Sequence, residues 1–177
     1  VYMVAGDEKF TLLYNLLNSL GFDSTMVFAN RRDECRKLYD YLNAYGIKVG
    51  LLSGEIDQNK RVKTLDAFKS GKINVLVATD VAGRGIHIND VSHVVNYTLP
   101  EEPEDYVHRI GRTARAGTDG TAYSFCEARE RNYLRDIEKI TKQKIDVVEH
   151  ELHSTIAQKA TGADAKPLPR NQGRGGR

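Results

Sequence analysis

Apolar residues recur at helical spacing in Leu12, Leu13, Leu16, Leu17 and Leu20, a run closed by Gly21, whereas the next apolar stretch, Thr25 to Phe28, is short and continuous. The first pattern predicts an amphipathic helix and the second a buried strand. The alternation then repeats. Cys35, Leu38, Tyr39 and Leu42 predict a helix that stops before Gly46 and a strand over Ile47 to Leu52. Val62, Leu65 and Phe68 predict a helix that stops at Gly71 and a strand over Val75 to Ala78. Two further strands are expected at Val91 to Tyr97 and Thr121 to Phe125, with helices over Pro103 to Ile110 and from about Glu127 to Thr141. Strands that read as unbroken apolar runs, separated by amphipathic helices, predict an α/β fold. Its mostly parallel β-sheet is flanked by helices on both faces, and ligands are expected beyond the carboxyl ends of the strands.

With 177 residues, 40% of them hydrophobic and 28% charged, the chain is long enough for one sizeable core. One domain is expected over residues 1–155. Residues 156–177 form a basic Gly- and Arg-containing tail, expected to be disordered, whose end KPLPRNQGRGGR has no acid and little to bury. That tail suits either a nonspecific RNA-binding arm or a solubilising extension. The net charge of +2 excludes little, because a balanced chain can still hold one basic face. Cys35 and Cys126 stand in no metal-ligand spacing and fit buried thiols in a reducing compartment. No apolar run approaches membrane-spanning length and the start lacks the shape of a signal peptide, so a cytoplasmic location without a membrane partner is expected. The chain begins inside an expected strand, which suggests a piece of a longer protein.

Four segments carry candidate chemistry. HRIGRTARAG, His108 to Gly117, sets His108, Arg109, Arg112 and Arg115 at short spacings around glycines. Guanidinium forks match phosphate oxygens bidentately, so the run is suited to a polyanion. ATDVAGRGIHI follows directly on an expected strand; Gly83 and Gly85 permit a close backbone turn, with Arg84 between them. In LSGEIDQNKRVK, Asp57 is a plausible cap of a helix whose start offers free N–H groups to an anion, with Gln58 and Arg61 one turn apart. TMVFANRRDE delivers Asn30, Arg31 and Arg32 from the end of a strand.

HRIGRTARAG resembles motif VI of superfamily 2 helicases, and its leading His108 with Thr113 resembles the DEAD-box branch. ATDVAGRGIHI resembles motif V of that family, LSGEIDQNKRVKTLDAFKSG resembles motif IVa, and TMVFANRRDE resembles motif IV. The order and separation of the motifs also match. The resemblance covers about residues 1 to 155 and implies the C-terminal RecA-like lobe of an ATP-dependent RNA helicase. It further implies that Arg112 and Arg115 act as arginine fingers on the γ-phosphate and that His108 joins the lobe interface. Gly83, Arg84 and His87 would then border the nucleotide. RNA would be held through its backbone by Asn30, Arg31, Gly54, Gln58, Arg61 and Thr79, and Asp80 with Arg84 would organise the lobe junction.

Several positions depart from the family pattern. Ser53 stands where His is usual, Asn30 where Thr is common, His87 where Asp is most frequent, and Ala114 where Gly is usual. The His87 form is similar to the helicases of bacterial RNA-degradation complexes, which implies a scaffold protein of such a complex as a further partner. No GxxxxGK[ST] loop and no Asp-Glu-Ala-Asp occur in the chain. The parts that cradle phosphates and hold magnesium are therefore expected on an N-terminal RecA-like lobe, which would carry most of the ATP and Mg contacts, and no metal site is expected here. The lobe alone is expected to be inactive. Two other classes fit less of the sequence: a stand-alone RNA- or protein-docking module gives no reason for both Arg112 and Arg115, and a DNA-translocating lobe is weakened by His108 and Thr113.

Overall fold

The computed structural model describes residues 1–21, 24–53, 57–83, 88, 91–113 and 120–167. Among the described residues, six strands form one sheet: β1 (Tyr2–Met3), β2 (Thr25–Phe28), β3 (Val49–Leu52), β4 (Val75–Ala78), β5 (His93–Asn96) and β6 (Thr121–Cys126). Their order is β1-β6-β5-β2-β4-β3, and every pairing is parallel. The helices are α1 (Lys9–Ser19), α2 (Arg32–Ala44), α3 (Gln58–Lys69), the single turn α4 (Asp80–Gly83), α5 (Pro103–Ile110), α6 (Arg131–Thr141) and α7 (Thr155–Lys159).

Side-chain alternation along β2 shows why its apolar run is unbroken. Val27 packs with Leu13, Leu17, Leu38 and Leu42 of α1 and α2, while Met26 and Phe28 pack on the opposite face with Phe68 of α3. A strand covered on both sides is mostly apolar, and the one polar residue of β2, Thr25, is itself fully buried. A third cluster joins Met3 and Cys126 to Tyr106, Leu134 and Ile137, seating α5 and α6 at the β1–β6 end of the sheet.

Local signals set the helix limits. Asp33 and Glu34 in the first turn of α2, and Glu104 and Asp105 in that of α5, face the positive end of the helix dipole. Pro103 opens α5, where its missing N–H costs nothing. Gly46 after α2 and Gly71 after α3 adopt φ of 80° and 81°, the left-handed turn that ends a helix with least strain in glycine.

The strands expected over Ile47 to Leu52 and Val91 to Tyr97 shorten to Val49–Leu52 and His93–Asn96, α4 is an unexpected single turn, and two further segments differ more. The helix expected from Glu127 opens instead as a 3-10 turn, Ala128–Glu130, closed by a reciprocal Glu127 and Glu130 capping box before α6 begins. The disorder expected from residue 156 does not hold up to residue 167. Ser154 caps α7 by accepting from the Ala157 N–H at 3.1 Å, a 3-10 turn follows at Gly162–Ala165, and Ala157 and Ala165 are buried. The segment lacks large apolar residues, yet alanines bury fully where the backbone itself comes close. Ser154 N–H donates to the Met3 carbonyl at 2.8 Å, and Arg135 Nη2 donates to the Ala160 carbonyl at 3.1 Å. The remainder of the tail, 168–177, lies outside the described residues.

Candidate functional site

The carboxyl ends of β2, β4 and β5 lie side by side, and each delivers a polar residue to the same edge: Asn30, Thr79 with Asp80, and Thr98. α5 closes over them with Arg109, whose side chain is 1% exposed. Its Nε and Nη2 donate to the two Asp80 carboxylate oxygens, both at 2.7 Å. Nη2 also donates to Asn30 Oδ1 at 2.8 Å, and Nη1 to the Thr98 carbonyl at 2.7 Å and to Asn96 Oδ1 at 3.4 Å. The five N–H donors of a guanidinium are thus all engaged, and its Cζ lies 5.3 Å from the Phe28 ring centre.

This arrangement corrects the reading of Arg109 as one of a row of phosphate-facing cations. Spacing of three places Arg109 on the same side of α5 as buried Tyr106 rather than on the outer side. His108 is instead the outward-facing basic side chain of α5. The His108 side chain is 74% exposed, with Nδ1 3.9 Å from Asp105 Oδ1. Arg112 follows the end of α5, its N–H donating to the Arg109 carbonyl at 3.2 Å. Its guanidinium reaches the Ile88 carbonyl at 3.5 Å, which sets it against the segment that follows α4. Burial lowers the pKa of Arg112, yet a guanidinium titrates so far above neutrality that it stays charged.

Around β4, the Thr79 hydroxyl accepts from the Ala82 N–H at 3.3 Å and so caps α4. Arg61 Nη2 donates to the Ala82 carbonyl at 2.6 Å, which fastens α3 to the same turn. Gln58, exposed, is the first residue of α3, and Asp57 caps it by accepting from the Asn59 N–H at 3.3 Å. Gln58, Arg61, Thr79 and Gly83 therefore belong to one corner of the edge. Arg31 is exposed beyond β2, with Nε 3.6 Å from Asp33 Oδ1. Asn30, though exposed, has its amide tied to the edge: besides accepting from Arg109, its Nδ2 donates to the Leu99 carbonyl at 2.7 Å. Gly54, Arg84, His87 and Arg115 lie outside the described residues.

A second polar cluster braces this edge from the β6 side and was not foreseen. Lys9, at the start of α1, is 3% exposed and contacts Glu127 at 3.1 Å and Glu130 at 3.3 Å. Its ammonium lies 4.8 Å from the Tyr97 ring centre. Glu130 accepts from the Leu99 N–H at 2.6 Å, which fixes the segment leading into α5. Burial opposes charge on Lys9, but the two carboxylates outweigh it and raise its pKa. Burial likewise opposes charge on Glu127, and Lys9 and Arg129 outweigh it and lower the Glu127 pKa. Among the described residues, no group of three His, Cys, Asp or Glu side chains is placed to hold a metal ion.

Comparison with known proteins agrees with this geometry. Residues 8–117 match the family described as helicase conserved C-terminal domain. The chain is 54% identical over 145 residues to the ATP-dependent RNA helicase RhlB of Pseudomonas syringae pv. tomato, a match covering 82% of this chain and 36% of that protein. It is 42% identical to RhlB of Shewanella sediminis, covering 97% of this chain and 43% of that one. The chain thus spans well under half the length of these relatives. Among solved structures, the E. coli DEAD-box protein SrmB bound to regulator of ribonuclease activity A superposes with a TM-score of 0.81 at 39% identity, covering 87% of this chain and 92% of that one. A DEAD box protein from Methanococcus jannaschii gives a TM-score of 0.78 at 42% identity, over 84% of this chain and 41% of that one. With its parallel sheet, its polar carboxyl edge and this match, the chain belongs to the helicase conserved C-terminal domain family, as a RecA-like lobe of the DEAD-box kind.

Proposed function

We propose that this chain is the second lobe of an ATP-dependent RNA helicase, and that it works only when an N-terminal RecA-like lobe closes against its carboxyl edge. The observation that carries the reading is the division of labour in motif VI. Arg109 is consumed inside the lobe, whereas Arg112, one turn on, keeps its charge at the edge beside Ile88. A cation held there suits a triphosphate on a facing lobe. Arg112 and Arg115 are the proposed fingers, and the exposed His108 is a proposed lobe contact.

The edge offers a guanidinium to a nucleotide shared between the two lobes. ATP, when bound, supplies the bond whose hydrolysis resets the two lobes, with Mg held by the first lobe. Residues of this chain neutralise charge on the transferring phosphoryl group and, through Gly83, Arg84 and His87, border the ribose side of the site. RNA is proposed to run over the corner built by Gln58, Arg61 and Thr79, with Gly54 and the exposed Arg31 as further proposed contacts. Contacts of this kind address the sugar-phosphate backbone, so binding is salt-sensitive and nearly independent of sequence.

RhlB-type relatives, and the SrmB neighbour solved with a regulator of ribonuclease activity, support a cytoplasmic role with an RNA-degradation scaffold protein as partner. In the full-length protein, Arg115→Ala and Arg112→Ala are each expected to lower kcat for RNA-stimulated ATP hydrolysis by about a thousandfold or more while nucleotide binding persists. Undiminished turnover in both variants would refute the finger role.

A further inference from the structure

Arg109 draws its acceptors from three separate segments of the carboxyl edge: Asn30 beyond β2, Asp80 beyond β4, and Asn96 with Thr98 at the end of β5. The Arg109 carbonyl in turn receives the Arg112 N–H, and Thr113 locks the same turn by donating its N–H at 3.0 Å and its hydroxyl at 2.8 Å to the Ile110 carbonyl. Arg109 thus ties the turn that carries Arg112 to the ends of β2 and β4, alongside the Val91 N–H on the Arg112 carbonyl at 3.3 Å and the Arg112 guanidinium on the Ile88 carbonyl at 3.5 Å. The geometry points to Arg109 as a positioning residue for the proposed hydrolysis. It joins the segments that hold RNA to the finger that meets the γ-phosphate, with Asn30 as its partner in the joint rather than as an RNA ligand. This inference rests on the function proposed above.

The chemistry of the joint favours a positioning role over direct contact with RNA. A side chain 1% exposed, with all five donors engaged, has nothing to offer a phosphate. Its fork is also specific. Lysine keeps the charge, but it is a point donor and cannot hold both Asp80 oxygens in plane while reaching Asn30 and Thr98. The Asn30 carboxamide bridges Arg109 and the Leu99 carbonyl, which accounts for an amide where the family commonly has Thr. RNA binding on the β2 and β4 segments and the placement of Arg112 are thus coupled through the Arg109 side chain.

The test uses the complete two-lobe protein. Steady-state ATP hydrolysis is measured against RNA and ATP concentration, RNA affinity against salt, and the melting temperature as a check on folding. Arg109→Lys is expected to lower kcat at saturating RNA by about 10- to 100-fold, the scale of a misplaced catalytic group. KM for ATP and the salt slope of RNA binding stay at wild-type values. Asn30→Ala gives a smaller fall in kcat with a native melting temperature, and the double variant is no slower than Arg109→Lys alone. Arg61→Ala serves as the contrast: it weakens RNA binding and reduces the salt slope by about one.

Wild-type kcat in Arg109→Lys overturns the inference. So does an Arg109→Lys protein that behaves as Arg61→Ala does, which would make Arg109 a phosphate ligand. Should Arg109→Lys fail to fold, Asn30→Ala decides, with reduced kcat in support and unchanged kcat against. A wild-type protein without RNA-stimulated hydrolysis overturns the proposed function and this inference together, whereas an active wild type with an unaffected Arg109→Lys overturns the inference alone.

Discussion

Replacing Lys9 by methionine removes a buried charge while keeping most of the side chain's apolar stem, so the effect isolates electrostatics from packing. Lys9 is 3% exposed between Glu127 and Glu130, and its loss leaves two carboxylates without their shared cation. Breaking a buried ion pair from one side costs about 3–5 kcal/mol. The structure places this case at the low end. Glu130 keeps the Leu99 N–H at 2.6 Å and the Glu127 N–H at 3.2 Å, and Glu127 keeps Arg129 at 3.3 Å. A loss of about 3 kcal/mol follows, which lowers the melting temperature of a chain this size by about 6–12 °C.

The pH dependence has a definite sign. The Glu127 pKa is lowered in the folded protein, so the stability it gains from Lys9 is present above the ordinary carboxylate value of 4.5 and is lost as pH falls through the lowered folded value. The gap between wild type and Lys9→Met therefore closes in acid. Chemical denaturation of both proteins at neutral and acid pH measures it. The triple variant Lys9→Met, Glu127→Gln, Glu130→Gln should recover part of the loss, because a neutral cluster has no stranded charge. A neutral-pH loss below about 1 kcal/mol, the range of an exposed pair, or a gap that is the same in acid, would refute the reasoning.

Two further outcomes are expected from the geometry. A Cβ at Gly120 would lie 2.3 Å from the Thr113 Cβ and 2.9 Å from the Thr113 carbonyl oxygen; Gly120→Ala should cost about 1–3 kcal/mol and lower kcat of the two-lobe protein, and a native melting curve would contradict the close approach. Both thiols are buried and pushed up to about 12 by desolvation. A thiol reagent at pH 8 should therefore label neither Cys35 nor Cys126 until the protein unfolds, and rapid labelling of the native protein would show the burial to be wrong.

The elements that the sequence revealed most clearly are those whose ends carry punctuation. β2, β4 and α5 match their expected limits because Pro103, Gly71 and unbroken apolar runs bound them. Gln58, Arg61 and Thr79 were singled out by their resemblance to family motifs, and the structure brings them to one corner. Arg109 was not. Spacing of three in a short helix does not say which side faces inward, and arginine is so often exposed that the sequence pointed outward. The one available signal was that Arg109 lies one turn after Tyr106, on the apolar side of α5, with Asp80 waiting at the end of a strand. Lys9 was hidden similarly, because its partners Glu127 and Glu130 are more than a hundred residues away. The fold of residues 155–167 escaped notice because hydrophobic periodicity weighs large side chains, and here alanines and backbone hydrogen bonds hold the segment.

The most direct measurement is ATP hydrolysis, with and without RNA, by this chain alone and after fusion to an N-terminal DEAD-type lobe. RNA-stimulated hydrolysis in the fusion and none in the chain alone is the predicted result. Hydrolysis by the chain alone would contradict the assignment of the phosphate-cradling parts to another lobe. A folded fusion that binds RNA but never hydrolyses ATP would contradict the helicase reading and leave a docking module in its place.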